Sequence, residues 1–204
     1  QGHPDHGCVA GGQPPEEVAG AVTRGGEERE EDAHGSRQSA PAAAPIYGLS
    51  VSDHAEDRAA DHLAVERLLF TYARRIDAGD FAAVGALFAD GTIATEDGTA
   101  LATGAEAVEA LYVATTRRYD DDGTPHTKHV TTNAVVDVDP SGDRAECHSY
   151  FTVFQGLADF PLQAIISGRY HDTFVRVDGT WRFAERRMVP ELYGDLSRHL
   201  LIEL

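Results

Sequence analysis

Cysteine is scarce in this chain: Cys8 and Cys147 are the only two in 204 residues. They offer no disulfide framework, and with no CxxC pair nothing suggests a zinc site. Cys147 reads as a small core residue. No stretch reaches the ~20 apolar residues that span a bilayer, and the first residues lack the basic start and apolar run of a signal peptide, so the simplest compartment is the cytoplasm. Basic residues are also few, 17 Lys and Arg against 34 Asp and Glu, which gives a formal net charge of −17 and a pI near 4.8. A phosphate-backbone binder needs clustered cations to displace counterions, and docking on an anionic bilayer needs them too. The composition therefore argues against nucleic acid and against a membrane as partners.

Large aliphatic residues are almost missing from residues 1 to about 50, which are rich in Gly, Pro, Ala and Glu. Such a segment has too little to bury to offset the entropy of ordering. Residues 1–52 are read as a disordered acidic extension and residues 53–204 as one ordered domain. The run Glu27-Glu28-Arg29-Glu30-Glu31-Asp32 reads as solvated charge.

Where the apolar residues begin, they are periodic. Val65, Leu68, Leu69, Tyr72 and Ile76 recur at helical spacing, and Phe70 and Ala73 widen the apolar arc. Asp77 falls inside that arc. An acid in such a region has to be hydrogen-bonded, paired or kept neutral. The same residue precedes Ala78-Gly79-Asp80, so it also reads as an ordinary helix stop.

Further elements follow in order. A short helix spans Phe81 to Phe88, and Thr92 to Glu96 suits a short strand. Thr103-Gly-Ala-Glu106 fits a capping box opening a helix through Val108, Leu111 and Tyr112. After Asp120-Asp-Asp-Gly123 the pattern becomes extended, with strands over His129–Val138, Ala145–Gln155, Leu162–Val177 and Trp181–Val189. Asp178-Gly179 is a hairpin signal between the last two. Helices first and a meander afterwards indicate an α+β domain with the helices gathered on one face of a mainly antiparallel sheet.

Five segments carry a resemblance: Tyr72-Ala-Arg-Arg-Ile-Asp77-Ala-Gly-Asp80, Ala86-Leu-Phe88-Ala-Asp-Gly91, His129-Val-Thr-Thr-Asn133, Gly168-Arg-Tyr170-His-Asp172 and Asp178-Gly-Thr-Trp181-Arg-Phe. Together, over about residues 58–190, they resemble the SnoaL-like branch of the nuclear transport factor 2-like superfamily. The resemblance implies a cone-shaped α+β barrel, a strongly curved sheet around the first helix with a pocket at its open end. The superfamily includes polyketide cyclases, scytalone dehydratase, ketosteroid isomerase, limonene epoxide hydrolase and non-catalytic dioxygenase small subunits, so fold alone does not decide function.

In the resembling dehydratases and cyclases an acid matching Asp77 and a histidine matching His129 face the cavity, which implies a catalytic Asp77/His129 pair here. Strand alternation then turns Thr131 and Asn133 inward with His129, followed by Ser149, Phe151, Val153 and Gln155, and by Gly168, Tyr170 and Asp172. Tyr72, Asn133, Phe151, Gln155 and Tyr170 are the expected substrate contacts, with Tyr72 and Tyr170 as hydroxyl donors and Asn133 as a positioning amide. Tyr170 and Trp181 suit a core equally well. The position matching scytalone dehydratase's second catalytic histidine is read as Gln155, which argues against that exact dehydration. Arg169 and Asp172 alternate to opposite faces, which argues against the epoxide-hydrolase arrangement.

His126 and His129, three apart on a strand, also fall on opposite faces, so no metal is expected. His148, His171 and His199 read as surface or hydrogen-bonded histidines. An Asp and a His in one apolar cavity suit proton transfer near neutral pH. The expected protein is a cofactor-independent cyclase, isomerase or dehydratase acting on a hydrophobic polyketide-like or cyclic molecule, and by resemblance a homodimer. The alternative is a non-catalytic ligand-binding or accessory subunit like the small subunits of ring-hydroxylating dioxygenases.

Overall fold

The computed structural model describes residues 51–202. The extension read at residues 1–52, with Cys8 and its acidic run, thus lies outside the described residues up to residue 50. From there α1 runs over Val51–Asp77, α2 over Phe81–Leu87, β1 over Thr92–Ala94, β2 over Ala100–Thr103 and α3 over Ala105–Thr115. Four long strands follow: β3 Thr127–Val138, β4 Arg144–Leu157, β5 Phe160–Val177 and β6 Thr180–Tyr193. They form one sheet in the order β2-β1-β6-β5-β4-β3, antiparallel except where β1 lies parallel to β6. The class is α+β as the sequence indicates. The curved sheet does not close, so β2 and β3 are its edges.

Helix α1 lies against β3 and β6. It buries Val65, Leu69, Tyr72 and Ile76, which sit on one face as the periodicity predicts. Each fully buried aliphatic chain of this kind contributes about 1.5–3 kcal/mol relative to leaving it in water. Phe70 departs from the expectation and is 47% exposed. It shares a flank with Asp77, seven residues on, but Asp77 meets Thr127 and His129 of β3 and Phe70 stays in solvent. The helix then stops at Gly79, whose φ of 68° is left-handed and whose Cβ, if present, would sit 2.4 Å from the carbonyl oxygen of Gly123.

Two local readings are corrected. Thr103 does not cap α3: it ends β2, and its hydroxyl pairs with that of Thr92 across the strands at 3.0 Å. The cap position belongs to Gly104 at φ 83°, with no side-chain bond, so strand pairing has displaced the capping box. The second correction concerns β3. Its register shifts between Thr132 and Val135, and Asn133 takes φ 52°, a bulge that asparagine tolerates better than most residues. Thr127 is buried and His129 and Thr131 are part-buried before the bulge; afterwards the inward phase passes to Ala134, Val136 and Val138. Asn133 is therefore turned out to solvent. The Asp178-Gly179 turn is as read, with φ values of 49° and 74° that suit the twist of a tight hairpin.

Candidate active site

The end of α1 and the start of β3 meet at a carboxylate. Asp77 Oδ1 accepts from the Thr127 hydroxyl at 2.8 Å and lies 2.6 Å from His129 Nδ1, while Oδ2 accepts from the His129 backbone N–H at 2.9 Å. Burial pushes the acid's pKa up, but the bonds and charge from His129 and the Thr127 hydroxyl outweigh it, and the net position is below the ordinary 3.8. Asp77 is ionised, hence acceptor-only. His129 must carry its proton on Nδ1 to complete the short bond, which leaves Nε2 as the nitrogen available to chemistry. The side chains of His129 and Asp77 are 7% and 12% exposed, so water competes little with this pair.

His129 lines a cavity of about 430 Å³ whose walls are otherwise mostly apolar, among them Ile76, Leu111, Val153, Ile166, Met188 and Leu196. Among the described residues, no Asp, Glu, Lys or Arg lines it. Of the expected contacts, Tyr72, Phe151 and Tyr170 line this cavity together with His129. Phe151 and Tyr170 stack with ring centroids 4.4 Å apart, and Tyr72 stands edge-on to His129 at 6.4 Å. Asn133 and Gln155 do not line it. The bulge sends Asn133 to a separate surface depression beside His148 and Tyr150. Gln155 is fully buried, but its amide donates to the carbonyls of Pro125 at 2.9 Å and Arg198 at 3.2 Å.

Two titratable cavity residues are absent from the sequence-based site. The first is Tyr112 of α3, whose hydroxyl lies 2.6 Å from that of Tyr72. Burial raises the pKa of Tyr72, Tyr112 and Tyr170, so all three remain phenols. In the Tyr72/Tyr112 pair one hydroxyl donates to the other, and the accepting residue keeps its own proton for a third group. The second is His199, which lies beyond the end of β6 in a stretch with no periodic signal. Burial, and then the neighbouring charge of His129, lowers its pKa from 6.5 to about 4.

Beneath the tyrosines lies an ion pair. Arg186 of β6 donates to both Asp172 oxygens, at 2.8 and 2.7 Å, and both side chains are fully buried. The guanidinium carbon sits 4.2 Å from the Tyr72 ring centre and 3.9 Å from that of Tyr170. Burial opposes its charge, yet Asp172 more than compensates and raises the Arg186 pKa. Arg169, which the sequence weighs beside Asp172, instead pairs with Glu191 at 2.8 Å on the half-exposed side of the strand.

The depressed His199 pKa has a consequence for stability. Unfolded, the ring binds a proton near pH 6.5; folded, it does so only near 4. Its contribution is complete above pH 6.5 and is lost as pH falls to 4, up to about 3 kcal/mol in all. The lowered Asp77 contributes above pH 3.8 and is lost below it, under that window. Urea midpoints taken at pH 7 and pH 4.5 should fall for the native chain and fall less for His199→Phe; equal losses would contradict the assignment.

Comparisons with known proteins agree on the fold. Residues 57–187 match the profile of the SnoaL-like domain. Among solved structures, a protein described as a candidate scytalone dehydratase from Novosphingobium aromaticivorans is 26% identical, with a TM-score of 0.55 over 69% of this chain and 91% of that one. Aln2 from a Streptomyces species is also 26% identical, with a TM-score of 0.51 over 64% and 89%. An NTF2-like protein with a cystatin-like fold, again from N. aromaticivorans, is 21% identical with a TM-score of 0.57 over 70% and 89%. No curated protein sequence matches this chain.

Proposed function

The chain belongs to the SnoaL-like domain family, and from that membership we propose that it is a cofactor-independent enzyme that moves protons on a neutral, hydrophobic, cyclic or polyketide-like molecule, as a cyclase, isomerase or dehydratase. One observation carries the reading: an ionised acid holds His129 by Nδ1 at 2.6 Å, at the wall of an apolar cavity. A histidine fixed in that tautomer has Nε2 free to take a proton from carbon next to a carbonyl. Asp77 stabilises the imidazolium that results. The Tyr72/Tyr112 pair supplies a hydroxyl to the carbonyl oxygen as negative charge develops there, in surroundings dry enough to make the bond count.

The same walls set the substrate class. A cavity of about 430 Å³ suits a molecule of one or two rings. With no fixed charge among the lining residues, a carboxylate or ammonium on the ligand would lose its hydration without a partner. The test is deuterium uptake at the carbon beside the carbonyl of 1-tetralone in D2O, followed by NMR, with 6-carboxy-1-tetralone as the charged control. Uptake above the buffer rate, and at least about tenfold faster than for the acid, is expected. Uptake of both at the buffer rate, or faster uptake by the acid, would overturn the reading.

A further inference from the structure

His199 has no part in the proton transfer just described, yet the fold holds it closely. Residues 194–202 follow β6, and Leu196, His199, Leu200 and Ile202 among them line the cavity. Gly194 N–H donates to the Ile165 carbonyl at 2.9 Å, and Leu201 N–H to that of Thr115 at 2.9 Å. His199 itself is pinned at both backbone groups: its N–H donates to the Leu196 carbonyl at 2.9 Å, and its carbonyl accepts from Arg117 N–H at 2.8 Å. One residue earlier, the Arg198 carbonyl accepts from the Tyr119 hydroxyl at 2.6 Å and from the Gln155 amide at 3.2 Å. Gln155, expected in the sequence to touch substrate, thus secures the segment that carries His199.

So much backbone anchoring fixes where the ring lies, and the ring lines the cavity. It is 7% exposed, and its Nδ1 has no hydrogen-bond partner among the described residues. A buried, unpaired ring nitrogen is costly, because the group has lost water and gained nothing in exchange. Nδ1 is itself closed off from the cavity that the ring lines, so the nitrogen a ligand can meet there is Nε2, which makes no hydrogen bond among the described residues. A hydroxyl is the chemical match for a neutral imidazole, since its oxygen accepts from one ring nitrogen and its proton reaches the other kind, whichever tautomer is present. Burial and the nearby His129 keep the ring neutral, so a carboxylate finds no cation there.

We propose that His199 is a specificity-determining residue that binds a hydroxyl group on the ligand, close to the carbon that His129 faces, so that the preferred substrates are hydroxylated ring compounds. This deepens the reading of the cavity as a small-molecule site and rests on it. Its test uses a ligand with no proton acidified by a carbonyl, so the outcome does not depend on whether His129 does chemistry.

The probes are 2-tetralol and tetralin, the same bicyclic skeleton with and without the hydroxyl. Wild-type protein should bind 2-tetralol about tenfold more tightly than tetralin, the scale of one buried hydrogen bond. In His199→Phe the preference should vanish, and in His199→Gln, whose amide can pair with a hydroxyl, it should partly persist. A wild-type measurement stands apart from any folding defect: the ¹⁵N resonances of the His199 ring should move on adding 2-tetralol and not on adding tetralin. Equal affinities in the wild type, an undiminished preference in His199→Phe, or ¹⁵N shifts confined to His129 would each overturn the proposal.

Discussion

Asp172→Asn is expected to lower stability by about 3–5 kcal/mol, the cost of leaving a buried guanidinium beside a neutral group. Asp172 provides both of the bidentate bonds to Arg186, and Arg186 Nη1 has no other partner among the described residues. Among the described residues, no other carboxylate is hydrogen-bonded to or paired with Arg186. Without the Asp172 charge, burial is left to lower the guanidinium's pKa, but its ordinary value lies so far above neutrality that Arg186 stays protonated and charged. Since Arg186 also packs against the faces of Tyr72 and Tyr170, the variant should loosen the cavity floor as well. Removing both charges is a different matter: Asp172→Leu with Arg186→Met replaces an ion pair by apolar volume and should recover most of the loss. Urea denaturation of the two variants, read at constant slope, separates these outcomes. A single variant within about 0.5 kcal/mol of wild type would show that the pair is far less buried than described.

The second large effect falls on activity. Asp77→Asn should slow deuterium uptake into 1-tetralone by about 10²–10⁴-fold, the range of a lost acid–base group. Three donors converge on this carboxylate, namely the Thr127 hydroxyl, the His129 backbone N–H and His129 Nδ1–H. A carboxamide has one oxygen to offer them. With its oxygen toward Thr127 and Nδ1, its NH₂ opposes the His129 backbone N–H. Turned round, the NH₂ donates to Nδ1 and drives the ring proton to Nε2, where the base is needed. The first orientation costs stability, about 1–3 kcal/mol for an unpaired buried donor, and the second costs catalysis. Measuring uptake and urea midpoint on the same preparation shows how the loss divides. Full activity in a folded Asp77→Asn would remove Asp77 from the mechanism.

Most of the architecture was legible in the chain because it rests on local pattern. Val65, Leu69, Tyr72 and Ile76 announce the buried face of α1, and Asp178-Gly179 announces its hairpin. The pairing of Asp77 with His129 was legible too, though through resemblance and not through spacing. What escaped was set by distant partners or by a single backbone angle. Asn133 looks inward by alternation, and one left-handed residue reverses the phase of the strand. Thr103-Gly-Ala-Glu106 spells a cap, yet the Thr103 hydroxyl finds Thr92 on the neighbouring strand. Tyr112 and His199 become site residues only because α3 and the C-terminal segment fold onto the same cavity as α1 and β3. The one sequence hint for the latter is Leu196, Leu200 and Ile202, apolar residues beyond the last strand that call for something to cover.

Everything proposed for catalysis depends on which nitrogen of His129 carries the proton. Long-range ¹H–¹⁵N correlation spectra of the wild-type protein with labelled histidine read this directly, without a substrate. With the imidazole neutral, the account predicts a protonated, pyrrole-type Nδ1 and a bare, pyridine-type Nε2 for His129. In Asp77→Asn that pattern should be lost. A wild-type His129 with its proton on Nε2 would contradict the account, since the nitrogen left for the cavity would then have no lone pair to accept a proton.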